Sequence, residues 1–244
     1  MKEKANKILL TLVLPCFNEA QHLESSFPRI INVLERLNSQ YEVIFVDDMS
    51  QDDTRKILLK LKNRYRKHNL NIIFQPENLG RGFAVVTGIL AAQGKYVGYL
   101  DIDLEVAPDY IQKTIEKLAA GYNVVCGWRE YDFEFESLPR WLASNTYRLL
   151  TRFVFNHSLH DTEAGYKFFQ KNSAIFLIDN TKDRHWFWDT EIMINAARSG
   201  LKIYEQKVRF VRRRDKTSTV KLVPDTIEYI KQLWRFRLRL LSKS

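Results

Sequence analysis

Two aspartates separated by one residue follow an apolar run in this 244-residue sequence. In extended backbone, residues i and i+2 point to the same side, so Asp101 and Asp103 can face one ligand. Two adjacent carboxylates repel each other unless a positive charge lies between them. A hard divalent cation, Mg²⁺ or Mn²⁺, meets this need and in turn binds a diphosphate. Two solvent-exposed aspartates in a turn would give the same sequence pattern, so this pair alone is weak evidence of a metal site.

Three earlier apolar runs are also followed by polar residues or glycines. The candidate site positions at the ends of the first two runs are Pro15, Asn18, Glu19, Asp47 and Asp48. Asp47 and Asp48 either accept hydrogen bonds from a nucleobase or ribose, or cap the next helix. After the third run, residues 78–82 carry Arg81 between two glycines. This segment is either a plain turn or a place where backbone and Arg81 approach a substrate closely.

An α/β scaffold would bring these positions together. Apolar runs typical of strands alternate with amphipathic helical patterns; the strand segments are 8–14, 41–46, 71–75, 96–100 and 124–126. This alternation predicts a mostly parallel sheet that is covered by helices on both faces. Ligands bind beyond the carboxyl ends of the strands in such sheets, where the polar residues lie.

The second half of the chain is less regular. Its patterns predict helices over 137–156, 188–198 and 224–241, strands over 168–170 and 203–211, and a loop over 161–167. No linker or repeat interrupts the sequence, so we expect one domain over 1–244. Its parts are a nucleotide-sugar half (1–130), an acceptor half (131–222) and a C-terminal helix (223–244).

Composition excludes several classes of protein. With 45% hydrophobic and 27% charged residues, the chain is globular rather than disordered or fibrous. No run reaches the roughly 18 to 20 apolar residues of a membrane-spanning helix. Cys16 and Cys126 each lie in an apolar run, so we expect buried free thiols and a cytoplasmic location.

The formal charge of +9 is concentrated near the C-terminus and suggests an anionic partner. The last predicted helix carries an apolar stripe among basic residues; the stripe consists of Ile227, Ile230, Trp234, Leu238 and Leu241. Such a basic amphipathic helix either lies on an anionic membrane surface or packs on the protein's own core.

Seven ordered stretches then establish a resemblance. They are 14–19, 46–54, 78–88, 101–104, 127–129, 161–167 and 188–191. In this order they resemble the family 2 glycosyltransferases with the GT-A fold, and specifically the branch similar to dolichol-phosphate mannosyltransferase. That branch transfers a hexose from a nucleotide sugar, GDP-mannose or UDP-glucose, to a polyprenyl phosphate.

The resemblance implies a role for each site residue. The nucleotide would be held by Pro15, Asn18, Glu19, Asp47, Asp48 and Arg81. Asp101 and Asp103 would bind Mg²⁺ or Mn²⁺, which stabilises the diphosphate leaving group. The acceptor phosphate would be received by Arg129, Arg140 and Ser144 with one of three consecutive arginines, for which Arg212 and Arg214 are our candidates. Asp161 and Asp189 match acidic positions on the acceptor side.

The sequence departs from the family pattern at three places. Arg81 replaces the usual lysine, Glu105 replaces a glutamine, and Ser218-Thr219 replaces a Ser-Lys pair. The Q-x-x-R-W motif of processive synthases is absent from the sequence, which argues against a polymerising enzyme.

Two acceptor classes lead to different chemistry. A saccharide hydroxyl must lose a proton, so Asp189 or Asp161 would act as a base. A lipid monophosphate is already ionised and needs positioning by arginine, which the arginine-rich acceptor half favours. The resemblance implies inversion at the anomeric carbon. With this acceptor we expect a transferase acting on polyprenyl phosphate at the cytoplasmic membrane face, with a membrane protein as a further candidate partner.

Two other readings carry less weight. A non-enzymatic nucleic-acid-binding protein would use the basic C-terminus but would leave the ordered acidic and glycine motifs unexplained. His157 and His160 have no cysteine or third ligand nearby in the sequence, so a zinc site is disfavoured.

Overall fold

A computed structural model describes residues 7–131, 138–213 and 222–242, and among these the side chains outside 138–145 and 222–227. The strands are β1 (Leu10–Cys16), β2 (Tyr41–Asp47), β3 (Leu70–Phe74), β4 (Tyr96–Leu100), β5 (Val124–Tyr131), β6 (Tyr166–Gln170) and β7 (Ile203–Phe210). The helices are α1 (Ala20–Glu35), α2 (Thr54–Arg64), α3 (Arg81–Ala91), α4 (Ile111–Ala119), α5 (Leu138–Phe155), α6 (Lys171–Asn180), α7 (Trp188–Arg198) and α8 (Leu222–Leu241).

The seven strands form one sheet in the order β3-β2-β1-β4-β6-β5-β7. The first four strands of this order, β3, β2, β1 and β4, run parallel to one another. Strands β5 and β7 are also parallel to each other. Strand β6 is inserted antiparallel to both of its neighbours. The predicted mostly parallel α/β sheet is therefore confirmed, and the carboxyl ends of β1 to β4 lie along one edge.

Helices cover both faces of this sheet. Every residue of β1 and β4 is buried, as expected for parallel strands with helices on both sides. One core cluster joins the sheet to α1, α2 and α4 through residues such as Phe27, Leu58 and Ile111. The other joins it to α3, α6 and α7 through residues such as Val85 and Trp188.

A third, smaller cluster holds α5 and α8 together. Phe155 of α5 packs against Phe236 of α8 with ring centroids 5.1 Å apart and the rings tilted by 40°. Leu233 of α8 is also buried there, beside Phe187 and Ile194. The last helix is thus fixed to the domain by one of its faces.

Four details differ from the sequence predictions. Strand β5 continues beyond residue 126 to Tyr131, because its whole length pairs with β7. Lys167 lies inside β6 rather than in the preceding loop. Helix α6 was not predicted. The sequence pattern indicates a glycine-punctuated segment over 78–88 before the next helix, whereas α3 already begins at Arg81.

The structure also bears on the two alternatives that the sequence left open for α8. The predicted stripe was expected to pack against the core or to lie on a membrane, and its members with described side chains are all exposed. The buried contacts are made by Leu233 and Phe236 instead.

Two expectations about the whole chain can also be compared with the structure. Cys16 and Cys126 are free and buried, as predicted. Over the residues that the structure describes, no helix is both long enough and apolar enough to cross a membrane.

Candidate active site

The predicted nucleotide-binding residues meet at the carboxyl edge of β1, β2 and β3. Pro15 is buried within β1 rather than after it. Asn18 follows β1 with a positive φ of 54°, and its side-chain oxygen accepts a 2.8 Å bond from the backbone N–H of Gln51. The N–H of Glu19 donates to the Thr54 hydroxyl at 2.8 Å. The loops after β1 and β2 are thereby tied together.

Asp48 connects the second and third of these loops. Its two carboxylate oxygens accept the backbone N–H groups of Leu79 and Gly80, at 2.8 and 2.9 Å. Gly80 has a φ of +94°, and a side chain there would overlap the His185 ring. Asp48 therefore shapes the glycine turn directly before α3, which requires glycine for its conformation and for space.

Asp47 is engaged within the protein as well. Its side chain has no solvent exposure, and one oxygen accepts the Arg55 Nε–H at 2.6 Å. Arg55 also donates to the Gln75 carbonyl at 3.0 Å and lies over the Phe74 ring. Asp47 therefore orders the loops around the strand ends.

Three large apolar side chains at these strand ends were missed by sequence reasoning. Phe17 follows β1, Met49 follows β2 and Phe74 ends β3, and each is about 40% exposed. Their positions directly beside the polar residues were the available signal. Exposed apolar groups at a polar edge suit contact with the flat face of a nucleobase.

Asp101 and Asp103 follow β4 and differ in accessibility. The Asp101 side chain is 38% exposed, whereas Asp103 is buried. Desolvation raises the pKa of Asp101; Arg81 opposes the shift and Asp103 adds to it. Within the described part of the chain, no three His, Cys, Asp or Glu side chains form a ready-made metal cage. Two carboxylates fit a Mg²⁺ or Mn²⁺ ion that takes its remaining ligands from water and a diphosphate.

Gly165 allows Asp101 to occupy its position. A methyl group on Gly165 would overlap the Asp101 carboxylate, and the Arg81 guanidinium would lie 3.0 Å from it. The Asp101 N–H also donates to the Gly165 carbonyl at 3.2 Å. The loop before β6 thus packs directly against the candidate metal ligand.

Arg81 links Asp101 to Asp189, two residues that the sequence assigned to different tasks. The guanidinium donates to Asp101 Oδ1 from Nε at 3.0 Å and from Nη2 at 2.7 Å. It also forms an ion pair with Asp189. Arg81 was predicted to bind the nucleotide. In the structure its guanidinium lies between Asp101 and Asp189 and pairs with both.

Asp189 is surrounded by donors. It accepts hydrogen bonds from Tyr99 and Arg81, and from the Lys167 ammonium at 2.6 Å. Burial acts to raise the pKa of Asp189, but Arg81 and then Lys167 outweigh it and hold the pKa below its ordinary value. A carboxylate held this way stays ionised, and its basicity is low for a proton acceptor.

A second charged cluster surrounds Asp161. Arg129 binds it in a bidentate manner, with Nε and Nη2 at 2.7 and 3.0 Å, and Arg148 donates at 2.8 Å. Burial acts to raise the pKa of Asp161, yet the two arginines keep it below the ordinary value. Burial raises the pKa of the neighbouring Glu163. Arg148 was not among the predicted residues.

The remaining acceptor-side predictions are only partly described. Arg140 and Ser144 lie on α5, but their side chains fall outside the described residues, as does Arg214 entirely. Arg212 is exposed. The structure instead brings Arg213 to the site, where its Nε donates to the Asp103 carbonyl at 2.9 Å.

Other residues that sequence reasoning missed are Tyr99, Arg148 and Lys167, whereas Arg213 belongs to the predicted run of three arginines but was not the preferred candidate. Lys167 gave one signal, since a lysine among the apolar residues of a short strand must find a buried partner. His157 and His160 make separate contacts, with the Leu159 N–H and with Glu205. No zinc site forms from them within the described residues.

Comparison with known proteins shows the class to which this fold and site belong. The model of glycosyl transferase family 2 matches residues 11–177. The chain belongs to this family. The predicted resemblance is thus confirmed at the level of the family.

Several curated proteins are similar to this chain over most of its length. The chain is 28% identical over 242 residues to glycosyltransferase AglD of Haloferax volcanii, covering 94% of this chain but 38% of that protein. It is 28% identical over 215 residues to a dolichyl-phosphate beta-glucosyltransferase of Trichomonas vaginalis, covering 83% and 66% of the two chains. The human dolichyl-phosphate beta-glucosyltransferase is 28% identical over 256 residues, with 96% and 76% covered.

Solved structures share the fold. Glucosyl-3-phosphoglycerate synthase from Mycobacterium tuberculosis, in complex with UDP, superposes with a TM-score of 0.66 at 19% identity, covering 96% of this chain and 81% of that one. A mannosyltransferase from Pyrobaculum calidifontis, in complex with GDP-Man and Mn²⁺, gives 0.58 at 19% identity, with 86% and 59% covered. The expected GT-A fold is confirmed.

Proposed function

We propose that this protein transfers a hexose from a nucleotide sugar to a polyprenyl phosphate, with inversion at the anomeric carbon. The observation that carries the proposal is the arrangement at the carboxyl edge of the sheet. Asp101 and Asp103 lie beside the loops that Asp48 and Asn18 organise, and Arg81 crosses to the acceptor side. Family membership and the names of the curated relatives support the same activity.

UDP-glucose is the donor that we favour. The relatives from Trichomonas and human carry glucosyltransferase names, and the mycobacterial synthase was also solved with Mn²⁺ and UDP-glucose. GDP-mannose is the second candidate, because the Pyrobaculum enzyme binds GDP-Man. The nucleoside would lie near Asn18 and Asp48, with Phe17 or Met49 available to contact the base.

Asp101 and Asp103 would hold Mg²⁺ or Mn²⁺ together with the donor diphosphate. When bound, such an ion stabilises the charge that develops on a diphosphate leaving group. The partly exposed Asp101 carboxylate is open to such a ligand, and Arg81 provides a second positive group beside it. Arg81 would therefore help to hold the departing diphosphate.

An ionised phosphate is the acceptor that the electrostatics favour. The two acidic residues considered as bases, Asp161 and Asp189, are each held ionised by two basic side chains. A saccharide hydroxyl would need one of them to accept a proton, whereas an acceptor phosphate needs none. The alternative, transfer to a saccharide in glycan synthesis, remains our second candidate on the strength of the shared fold.

The polyprenyl acceptor would place the enzyme at the surface of a membrane, which we propose to be the cytoplasmic face. The predicted division into a nucleotide-sugar half and an acceptor half remains a prediction. A membrane-protein partner is a further expectation from the sequence.

Calorimetric titration with Mn²⁺ tests the donor part of the proposal. We expect UDP and UDP-glucose to bind more tightly than GDP and GDP-mannose, and binding to weaken strongly in the double variant Asp101→Asn, Asp103→Asn. If GDP and GDP-mannose bind more tightly, the proposed donor is GDP-mannose instead of UDP-glucose. Absence of binding by all four nucleotides would contradict the proposed transferase.

A further inference from the structure

Helix α8 has two apolar faces, and the domain uses one of them. Leu233 and Phe236 are buried against Phe155 and Phe187. Polar contacts fix the same orientation, because Arg239 forms a 3.2 Å ion pair with the buried Glu191 of α7. The rotation of the helix about its axis is therefore set by contacts with α5 and α7.

The second apolar face is exposed along three turns. We call it the α8 stripe, and it consists of Ile230, Trp234, Leu238 and Leu241, which are 40%, 55%, 64% and 56% exposed. Their spacing of four, four and three residues places them on one side of a helix. Scattered single apolar residues are normal on a protein surface, but a continuous line of four is the mark of an interaction surface.

Basic residues border this stripe. At 100° per residue, Arg237 lies next to one edge of the stripe, and Lys231 and Arg235 lie next to the other. Residues 228–242 contain four basic residues and a single acidic one, Glu228. The Glu228 carboxylate is 3.7 Å from Lys231 and 3.6 Å from Arg235, and all three side chains are more than half exposed. Exposed pairs of this kind are weak and exchange readily for other anions.

Helix α5, which lies next to α8, also carries exposed apolar side chains. Leu149 and Phe153 of α5 are 64% and 88% exposed and are four residues apart. Helices α5 and α8 are in contact, with the Tyr147 and Tyr229 rings 5.4 Å apart. Exposed apolar side chains are thus concentrated on the two helices that form the third core cluster.

We propose that the α8 stripe binds the surface of an anionic lipid bilayer. The helix would lie in the plane of the interface, with Trp234 and the aliphatic side chains among the upper acyl chains and the basic borders at lipid phosphates. The basic borders favour this occupant over a protein groove, since anionic headgroups would surround both edges of the stripe. Its role in reaching a lipid acceptor rests on the proposed function, whereas binding to lipid can be measured without any substrate.

Sedimentation with vesicles tests the inference directly. The whole chain should bind vesicles in which about a third of the lipid is phosphatidylglycerol, and should bind much less to pure phosphatidylcholine. The double variant Trp234→Ser, Leu238→Ser should lower the partition coefficient by about ten-fold or more, since it removes two large apolar side chains. The variant Lys231→Gln, Arg235→Gln should weaken binding to anionic vesicles and reduce its dependence on salt.

The matched control is Leu59→Ser, Leu90→Ser. Leu59 and Leu90 are 51% and 58% exposed on α2 and α3, so this variant removes similar apolar surface elsewhere. It should bind vesicles like the unchanged chain, and circular dichroism should show all variants folded. Equal binding by the stripe variant and the control would overturn the inference. A lipid-free dimer that the stripe variant abolishes would also overturn it, by assigning the stripe to a second copy of the chain.

Failure of this inference can be told apart from failure of the proposed function. In detergent micelles that contain polyprenyl phosphate, the stripe variant should transfer sugar as well as the unchanged chain, because the stripe lies outside the site. No transfer by the unchanged chain under these conditions would contradict the function and leave the vesicle result standing.

Discussion

The ammonium of Lys167 lies 2.6 Å from the Asp189 carboxylate, and the lysine side chain has no solvent exposure. The same ammonium donates to the Ala164 carbonyl at 2.6 Å, within the loop that packs against Asp101. Arg81 connects Asp189 to Asp101 from the other side. Asp189 thus anchors both a buried lysine and the arginine that binds the candidate metal ligand Asp101, which is the task of a positioning residue.

Removing the charge of Lys167 should destabilise the fold. We expect Lys167→Met to lower the free energy of unfolding by about 3–5 kcal/mol, because a buried carboxylate loses one of its two cations. Urea denaturation measures this change. The control is Lys207→Met, since Lys207 and Glu130 form a 2.8 Å pair with side chains 60% and 52% exposed. That variant should cost less than about 1 kcal/mol. Similar costs for the two would show that the buried pair contributes little.

The variant Asp189→Asn separates positioning from base catalysis. Its amide keeps an oxygen for Lys167 and Tyr99 but loses the contact with Arg81, because its NH2 group cannot accept a hydrogen bond. Arg81 still has Asp101 as a partner, so we expect the rate of transfer to polyprenyl phosphate to stay within about ten-fold of the unchanged chain. A required general base contributes about 10²–10⁴-fold, and a loss of that size in a folded variant would identify Asp189 as the base. Single-turnover rates at saturating donor give the comparison.

A methyl group at Gly165 should impair donor binding without unfolding the domain. The new carbon would overlap the Asp101 carboxylate, so Gly165→Ala should weaken Mn²⁺-dependent nucleotide binding by about ten-fold or more. The control is Gly200→Ala, which has open space around it but a φ of +67°. It should cost about 1 kcal/mol of stability and leave nucleotide affinity unchanged. Equal affinities for both variants would argue against Asp101 as a ligand.

His157 should make the fold less stable in mild acid. Burial, and then the charge of Arg152, lower the pKa of His157 to about 4 from its ordinary value of 6.5. Its Nδ1 accepts the Leu159 N–H at 3.2 Å, which requires the unprotonated nitrogen. The unfolded chain therefore takes up the proton first, and this contribution to stability is present above pH 6.5 and is lost as the pH falls toward 4.

Unfolding free energies at pH 7 and pH 5 test this expectation. The variant His157→Asn should lose less stability between the two pH values than the unchanged chain does. His160→Asn is the comparison, because His160 is exposed and pairs with Glu205. An equal pH dependence in the unchanged chain and in His157→Asn would contradict the role given to His157.

Much of the fold follows from local patterns in the sequence. The first four strand segments and the helix over 188–198 were predicted from periodicity, and the structure confirms them. Strand order could not be predicted, because β6 reaches its place between β4 and β5 through pairing across long stretches of chain. Strand β5 was predicted too short because Gly127, Arg129 and Glu130 break the apolar run; pairing with β7 extends the strand.

The sequence predicted many of the site residues, but it did not predict the contacts between them. Polar residues at strand ends identified Asp48 and Asp101, but only the folded chain shows that Arg81 and Lys167 share Asp189. The apolar stripe of α8 was visible in the sequence, whereas its exposure was not. Leu233 and Phe236 pack against the core instead. Periodicity alone does not show which of two apolar faces a helix buries.

The most direct test of the proposed function is a transfer assay with detergent-solubilised polyprenyl phosphate, Mn²⁺ and either labelled UDP-glucose or labelled GDP-mannose. We predict that label from UDP-glucose enters a lipid product, that transfer is lost in Asp101→Asn, Asp103→Asn, and that a saccharide acceptor does not replace the lipid phosphate. Transfer to the saccharide but not to polyprenyl phosphate would contradict the account.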